Sequence, residues 1–241
     1  MIKRYFKEPR ELLFGIKKYI KKTAIVMDIG CGIKPQTYFS PKCHIMVEPF
    51  KEYVDILHYR FQKMDNVLII QEMANKVLPT FTNRSIDTVF LLDVIEHLEK
   101  KDGMALLKEM ERVAKKQIII FTPLGYMPQE YEKHETDAWG LSGTELQEHK
   151  SGWEPKDFDG IKGNWSFLIC ENFHGKDAKG NPLEKPFGAF FAINNISPFK
   201  IETPKKLSIF KRHNRIEKKR GFIYRIVKNT KSVLKYYIKG K

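Results

Sequence analysis

Short apolar runs alternate with segments of helical periodicity between residues 24 and 121. An apolar run of about five residues that ends at polar residues predicts a buried strand, and the periodic segments predict helices that cover the strands. The predicted strands are residues 24–29, 43–47, 67–71, 86–92 and 117–121. This alternation predicts an α/β fold with a doubly wound, mostly parallel sheet and right-handed crossovers.

The flanking segments have other patterns. Residues 5–22 carry apolar residues at helical spacing between lysines, which predicts an amphipathic helix packed on the sheet. Residues 165–170 and 187–193 are apolar and separated by a polar loop, which predicts an antiparallel edge hairpin and a sheet of seven strands. Residues 124–163 are rich in aromatic residues, histidine and acids but have no clear period, so we expect a substrate lid there.

Two predicted strands end in residues that suit a small-molecule site. The first runs into Met27-Asp28-Ile29-Gly30-Cys31-Gly32 and the fourth into Asp93-Val94-Ile95-Glu96-His97-Leu98. Glycines at a strand end let a ligand approach the backbone, and the carboxyl ends of parallel strands meet at one sheet edge. A dinucleotide-binding fold would have a third glycine opening a regular helix, whereas Ile33-Lys34-Pro35 follows here. In this order the two motifs resemble those of the class I S-adenosylmethionine-dependent methyltransferases, over about residues 20–123.

The resemblance implies a Rossmann-like sheet and S-adenosyl-L-methionine as cofactor. It places Gly30 and Gly32 beside the methionine part of the cofactor and makes Asp28 an acceptor of hydrogen bonds from its ammonium group. It makes Glu48, at the end of the second strand, the ligand of both ribose hydroxyls, since a carboxylate has two oxygens at a suitable separation. The alternatives are a turn-capping role for Asp28 and an exposed loop position for Glu48.

The third strand departs from the pattern of the family. Many relatives have an acid followed by a small residue that holds the adenine amino group, but here the sequence is Gln71-Glu72-Met73-Ala74. Either Glu72 is that acid out of register, or Met73 packs on the adenine ring. Asp93 is expected beside the transferred methyl group, where it orients cofactor or substrate, and it is also a candidate N-cap of the next helix.

Methyl transfer from a sulfonium requires a nucleophile held close and aligned, and a hydroxyl nucleophile must also lose a proton to a base. His97 follows Asp93 by four residues, which predicts that both lie on one helical face. The resemblance favours His97 as the base, with a structural role as the alternative, and His149 and Asp137 of the lid are further catalytic candidates. A metal site of His134, Asp137 and His149 has unspecific spacing, so no metal is expected.

Composition predicts one sizeable domain with an appendage. The chain has 241 residues, of which 42% are hydrophobic, and we divide it into a methyltransferase domain, 1–203, and a tail, 204–241. No apolar run approaches the roughly 18 residues of a membrane span, and charges interrupt the first 22 residues, so we expect no signal peptide. Three cysteines without metal-ligand spacing indicate reduced thiols and a cytoplasmic protein: Cys31, Cys43 and Cys170.

The basic charge is concentrated in the tail. Of the formal net charge of +14, residues 200–241 contribute 15 basic against 2 acidic residues, while the remainder has 28 against 27. Apolar residues at helical spacing between lysines predict a basic amphipathic helix, and we expect residues 205–241 to contact an anionic membrane peripherally. The same charge would suit RNA phosphates, and a solvated tail or a helix docked on the domain is an equal alternative.

The predicted function is methyl transfer to a small-molecule acceptor at an oxygen, in a glycan or lipid-linked intermediate. No Asn-Pro-Pro-Tyr motif follows the fourth strand, which argues against methylation of an exocyclic amino group. An RNA methyltransferase anchored by the basic tail is the first alternative. A non-catalytic cofactor-binding protein is the second, although the set Asp28, Gly30, Gly32 and Glu48 argues against it.

Overall fold

The computed structural model describes residues 2–132, 134–177 and 180–196. The chain divides into two units, Met1–Pro198 and Phe199–Lys241, and all described residues belong to the first. The predicted boundary after residue 203 and the predicted basic helix within 205–241 lie outside the described residues.

The described residues form eight strands, four α-helices and several 3-10 turns. The strands are β1 (Ile2–Phe6), β2 (Ile25–Ile29), β3 (Cys43–Val47), β4 (Val67–Ile70), β5 (Ile86–Leu92), β6 (Ala114–Leu124), β7 (Trp165–Lys176) and β8 (Pro182–Asn195). The α-helices are α1 (Pro9–Gly15), α2 (Lys51–Phe61), α3 (Ala74–Val77) and α4 (Lys100–Val113). The 3-10 turns are Ile16–Lys18, Leu78–Thr80, Ile95–His97, Thr144–Leu146 and Pro155–Phe158. None of these described helices is both long enough and apolar enough to cross a membrane.

All strands belong to one sheet, in the order β1-β7-β8-β6-β5-β2-β3-β4. Only β8 runs antiparallel to its neighbours, β6 and β7, and the other described pairs are parallel. The chain proceeds from β2 outward through β3 and β4, and then from β5 to β6 on the other side. The order therefore reverses between β2 and β5, where open α/β sheets have their ligand crevice. The predicted doubly wound, Rossmann-like fold with an antiparallel hairpin is confirmed, but β1 and not the hairpin forms that edge of the sheet.

The central strands are buried on both faces, as parallel sheets require. Alternate residues of each strand point to opposite faces and enter two separate clusters. On one face the strands pack against α4 through Met27, Val89, Ile118, Leu107 and Met110. On the other face they pack against α1 and the turn after it through Val26, Phe90, Ile119, Leu12 and Ile16. These strands thus form a rigid support for the residues at their ends.

The sheet has eight strands rather than the predicted seven, because residues 2–6 pair in parallel with β7. The helix predicted over residues 5–22 is correspondingly shorter and begins at Pro9. Proline suits the first turn of a helix, and it keeps the preceding residue, Glu8, extended (φ −115°, ψ 143°). The apolar positions Leu12 and Ile16 are nevertheless buried against the sheet.

Candidate active site

Two adjoining cavities open at the carboxyl ends of the central strands. The first lies beside the last residues of β2, β3 and β5, and the second is lined from β6, β7 and the lid segment, residues 124–163. The first cavity is lined in part by Gly30, Glu48, Tyr53, Met73 and Lys150. The second cavity is lined in part by Glu96, Tyr131, Trp139, His149 and His174. Three residues line both cavities: Asp93, His97 and Gln147.

The two glycines after β2 have positive φ angles and different surroundings. Gly30 (φ 60°) lines the first cavity, and a Cβ there would lie 2.8 Å from a methyl carbon of Val94. Gly32 (φ 52°) is covered by the indole ring of Trp139, which a Cβ would overlap. Gly30 is thus the glycine exposed to the cavity, while Gly32 makes room for a side chain of the lid.

Glu48 directly follows β3 and lines the first cavity, although only 3% of it is exposed. Its Oε2 accepts a hydrogen bond from the Gly32 amide at 2.8 Å, and its Oε1 accepts one from the Phe50 amide at 3.0 Å. Burial raises the pKa of this carboxyl, and the hydrogen bonds from Phe50 and Gly32 partly offset the rise. Glu48 therefore holds the glycine loop against the start of α2 and presents its carboxylate at the cavity.

Asp28 is buried inside β2 and is not among the residues that line the first cavity. Its Oδ2 accepts a hydrogen bond from the Gln36 amide at 2.6 Å and lies 3.6 Å from His44 Nε2. In this structure the carboxylate holds the far end of the glycine loop.

Of the two candidates for the adenine contact, which follow β4, only one lines the first cavity. Met73 lines the first cavity beside Ala74, and 37% of it is exposed. The carboxylate of Glu72 accepts a hydrogen bond from the Met73 amide and pairs with Lys76 at 3.2 Å, and neither Glu72 nor Lys76 is among the residues that line the first cavity.

The loop after β5 differs from its prediction. Asp93 adopts a left-handed conformation (φ 53°), and its amide donates to the carbonyl of Phe121 at 3.0 Å. A 3-10 turn at Ile95–His97 follows, and α4 begins only at Lys100, so the expected helical face shared by Asp93 and His97 is wrong. Asp93 is also not the N-cap of α4, because Glu99 occupies that position. Both Asp93 and His97 nevertheless line the two cavities, because the tight turn brings them together.

Two histidines meet in the second cavity with their rings 5.0 Å apart. His97 Nδ1 lies 3.1 Å from the carbonyl of Glu148, and His149 Nδ1 lies 2.6 Å from that of Met127. A ring nitrogen that faces a carbonyl carries the hydrogen, so Nε2 bears the lone pair in each neutral ring. Burial lowers the pKa of His97 and lowers that of His149 to about 4, which keeps both rings neutral near neutral pH.

Glu96 and His174 complete this side of the site, and sequence reasoning did not select either. Glu96 is 2% exposed, and its Oε2 accepts a hydrogen bond from the Thr122 hydroxyl at 2.9 Å. Burial raises the pKa of Glu96 to about 7 and lowers that of His174 to about 4. Glu96 could have been selected as a site residue from its place in the second motif, whereas nothing in the sequence pattern of the hairpin distinguishes His174.

Asp137 does not line either cavity. Its Oδ2 accepts a hydrogen bond from the Tyr53 hydroxyl, and its Oδ1 accepts from the amides of Trp139 (2.8 Å) and Leu141 (3.0 Å). The indole of Trp139 packs edge-on against the ring of Tyr53, with centroids 5.1 Å apart. Asp137 thus fastens the lid to α2 and positions Trp139. His134 is exposed, so the structure does not bring His134, Asp137 and His149 together as a metal site.

Comparison with known proteins identifies the domain and the fold. Residues 27–121 match a family model described as a methyltransferase domain. A putative methyltransferase from Bacillus halodurans is 12% identical, with 79% of this chain and 99% of that chain covered and a TM-score of 0.51. A SAM-dependent methyltransferase from Leishmania major is 12% identical, with 77% and 72% covered and a TM-score of 0.50. A comparison with curated proteins finds no significant match.

At these identities the solved structures show the fold, whereas the matched domain covers β2 to β6 and includes both strand-end motifs. The matched domain identifies this part of the chain as a methyltransferase domain of the class I S-adenosylmethionine-dependent type, with S-adenosyl-L-methionine as its cofactor. The first cavity fits this group chemically. It combines the carboxylate of Glu48, the exposed apolar side chain of Met73 and the bare strand end at Gly30.

Proposed function

We propose that this enzyme transfers the methyl group to a hydroxyl oxygen of an uncharged small molecule, of the glycan or lipid-linked type. The observation that carries the proposal is that the two cavities adjoin and share Asp93, His97 and Gln147. A methyl donor in the first cavity and an acceptor in the second would meet at these shared residues. Such proximity supplies much of the rate of an in-line transfer.

On the cofactor side, we assign the ribose hydroxyls to Glu48 and the adenine ring to Met73. Glu72 is the weaker candidate for the adenine contact, because its carboxylate is paired with Lys76. Asp28 and Gly32 act on the shape of the loop, through the Gln36 amide and through the space that Gly32 leaves for Trp139.

On the acceptor side, the composition of the second cavity favours an uncharged, hydroxyl-bearing molecule. Among the described residues that line it, none is a lysine or an arginine, so no side chain there would pair with a phosphate or carboxylate of the acceptor. The rings of Tyr131 and Trp139 offer flat apolar surfaces. Gln129, Gln147 and the histidines offer hydrogen bonds to hydroxyl groups.

The chemistry follows from these positions. S-adenosyl-L-methionine supplies an electrophilic methyl carbon, whose bond to sulfur breaks as the acceptor oxygen forms its own bond to that carbon. The acceptor hydroxyl must lose its proton in the process. His97 and His149 hold Nε2 lone pairs in this cavity and are our candidates for acting on that hydroxyl, and Asp137 is a positioning residue that acts through Trp139.

The test is a substitution that fills the second cavity. Ala138 lies on the lid, is exposed and lines the second cavity only. We expect Ala138→Trp to retain the affinity for S-adenosylhomocysteine in calorimetry while it abolishes transfer of labelled methyl groups to neutral glycan and lipid fractions of a cell extract. Ala105→Trp, at an exposed position on α4, is the matched control. Undiminished transfer by Ala138→Trp, or label that appears in RNA instead, would contradict the proposal.

A further inference from the structure

Three side chains with metal-binding atoms meet in the second cavity. Glu96, His97 and His149 each offer one ligand atom, and the three atoms lie within 4.8 Å of one another. Glu96 and His149 are buried, and His97 is partly buried. Two imidazoles and one carboxylate form a donor set that suits divalent transition metals, unlike the all-oxygen sites of calcium and magnesium.

The hydrogen bonds around these side chains orient them for this role. The Nδ1 atoms of His97 and His149 are occupied by backbone carbonyls, which leaves Nε2 of each ring as the ligand nitrogen. Thr122, which lies on β6, donates its hydroxyl hydrogen to the carboxylate of Glu96. Metal-binding histidines in proteins usually donate their second ring N–H to a carbonyl or a carboxylate, which sets the tautomer and the ring orientation. The hydrogen bonds that orient the ligands of a metal site are therefore present.

The charge of the cavity also favours a cation. Among its described lining residues, Asp93 and Glu96 are acidic and none is a lysine or an arginine. A buried carboxylate without a positive partner is unfavourable, because it has lost its hydration without an electrostatic gain. A cation bound at this cluster would supply the positive partner that the Glu96 carboxylate lacks.

We propose that Glu96, His97 and His149 bind a divalent transition-metal ion such as zinc, which holds the acceptor hydroxyl for methylation. The role in the reaction rests on the proposed function, whereas the binding site rests on the three ligands alone. A hydroxyl bound to such an ion releases its proton to solvent more readily, and its oxygen retains the electron pair that forms the bond to the methyl carbon. His97 and His149 then act as ligands.

The test measures metal binding directly, on the full chain stripped with a chelator. Zinc is titrated by calorimetry, and cobalt is titrated by its visible absorption, which reports the ligand field. We expect one ion per chain, and a loss of affinity of at least about 10- to 100-fold in Glu96→Gln and His149→Gln, the loss typical of damaged metal sites. His134→Gln, on the same lid but exposed, is the matched control and should bind like the wild type.

Retained affinity for S-adenosylhomocysteine shows that a variant is folded at the site. The site is refuted if the wild type binds neither ion, or if both variants bind as tightly as His134→Gln. Transfer that proceeds at the full rate in the stripped enzyme overturns the role of the ion in the reaction. An ion bound through these ligands without methylation of any hydroxyl would refute the proposed function and leave the site intact.

Discussion

At the scale of single residues, the site depends on a few backbone and carboxylate positions. Glu48 accepts two backbone hydrogen bonds while it lines the first cavity, and Gly32 allows Trp139 to pack over the loop. Substitution of Glu48 tests the affinity for the cofactor, and substitution of Gly32 tests the packing of the lid.

Glu48→Gln should weaken binding of S-adenosylhomocysteine. The side chain keeps its size but loses the charge, and hydrogen bonds to a charged group contribute about 1.5–3 kcal/mol, so we expect roughly a 10- to 150-fold higher Kd in calorimetry. The matched control is Glu72→Gln, whose carboxylate pairs with Lys76, and its Kd should not change. Equal losses in the two variants would contradict the assignment of Glu48 to the cofactor.

Gly32→Ala should damage both stability and cofactor binding. A side chain at positive φ costs about 1–2 kcal/mol by itself, and here the new methyl group would also displace Trp139. Gly125→Ala is the matched control, because Gly125 has a similar positive φ of 78° with nothing within 4 Å of its Cβ position. Chemical denaturation should show the larger loss in Gly32→Ala, and equal losses would mean that Trp139 does not pack over this glycine.

At the scale of elements, the lid is attached to α2 by polar contacts that are far apart in sequence. Tyr53 and Glu52 of α2 bind Asp137 and Ser142 of the lid, and Trp139 lies between them over the glycine loop. The order of the lid therefore depends on a helix that also borders the first cavity.

Tyr53→Phe should loosen the lid without unfolding the domain. The ring keeps its packing, but Oδ2 of the buried Asp137 carboxylate loses its hydrogen bond from Tyr53, which costs about 1–3 kcal/mol locally. We expect faster hydrogen exchange of the amides of residues 137–142 and a higher KM for the acceptor. Tyr59→Phe, on the same helix but 76% exposed, should leave both unchanged. Unchanged exchange in Tyr53→Phe would show that this hydrogen bond does not anchor the lid.

Asp87 connects β5 to β2 at the other end of the sheet. It accepts hydrogen bonds from the amides of Ala24 and Ile25 and pairs with Lys116 at 3.0 Å. Burial alone would raise its pKa, but the interactions with Lys116 and the two amides outweigh burial and hold the pKa below its ordinary value. The stabilisation is therefore complete above the ordinary aspartate pKa and is lost as the pH falls through the lower folded value.

Asp87→Asn should accordingly lower the free energy of unfolding by about 1–3 kcal/mol near neutral pH. Its denaturation curve should approach that of the wild type as the carboxyl of the wild type is protonated in acid. Asp65→Asn, at an exposed position, should match the wild type at both pH values. A difference that stays constant down to acid pH would rule out an ionised Asp87 as the source of the stabilisation.

At the scale of the whole molecule, a nearly neutral domain carries a strongly basic tail. The tail lysines at positions 228, 231, 235 and 239 are spaced along the apolar residues of the predicted helix. Changing these four to glutamine should weaken binding of the full chain to anionic vesicles, since each cation near such a surface contributes about 1 kcal/mol. The control changes four exposed lysines of the domain: Lys63, Lys101, Lys108 and Lys115. Equal vesicle binding by both variants would show that the tail lysines do not bind the chain to an anionic membrane.

The local pattern of the sequence was enough for strands β2 to β8 and for the position of Glu48 directly after β3, because burial and periodicity leave a direct signal, but it missed the exposed strand β1. It failed at Asp93 and His97, where a left-handed residue and a 3-10 turn replace the expected helix start. It also did not reveal that Asp137 binds Tyr53 or that Trp139 covers Gly32. Those contacts join segments far apart in the chain, and they leave no periodic trace in either segment.

The most direct test of the central claim is the position of a labelled methyl group in the product. The enzyme is incubated with S-adenosyl-L-methionine that carries a trideuterated methyl group and with the acceptor fraction it labels, and tandem mass spectrometry locates the label. We predict that the label is on a hydroxyl oxygen of an uncharged glycan or lipid-linked acceptor, and that Ala138→Trp abolishes it. Label on a nitrogen or on RNA, or cofactor binding without any labelled product, would contradict the account.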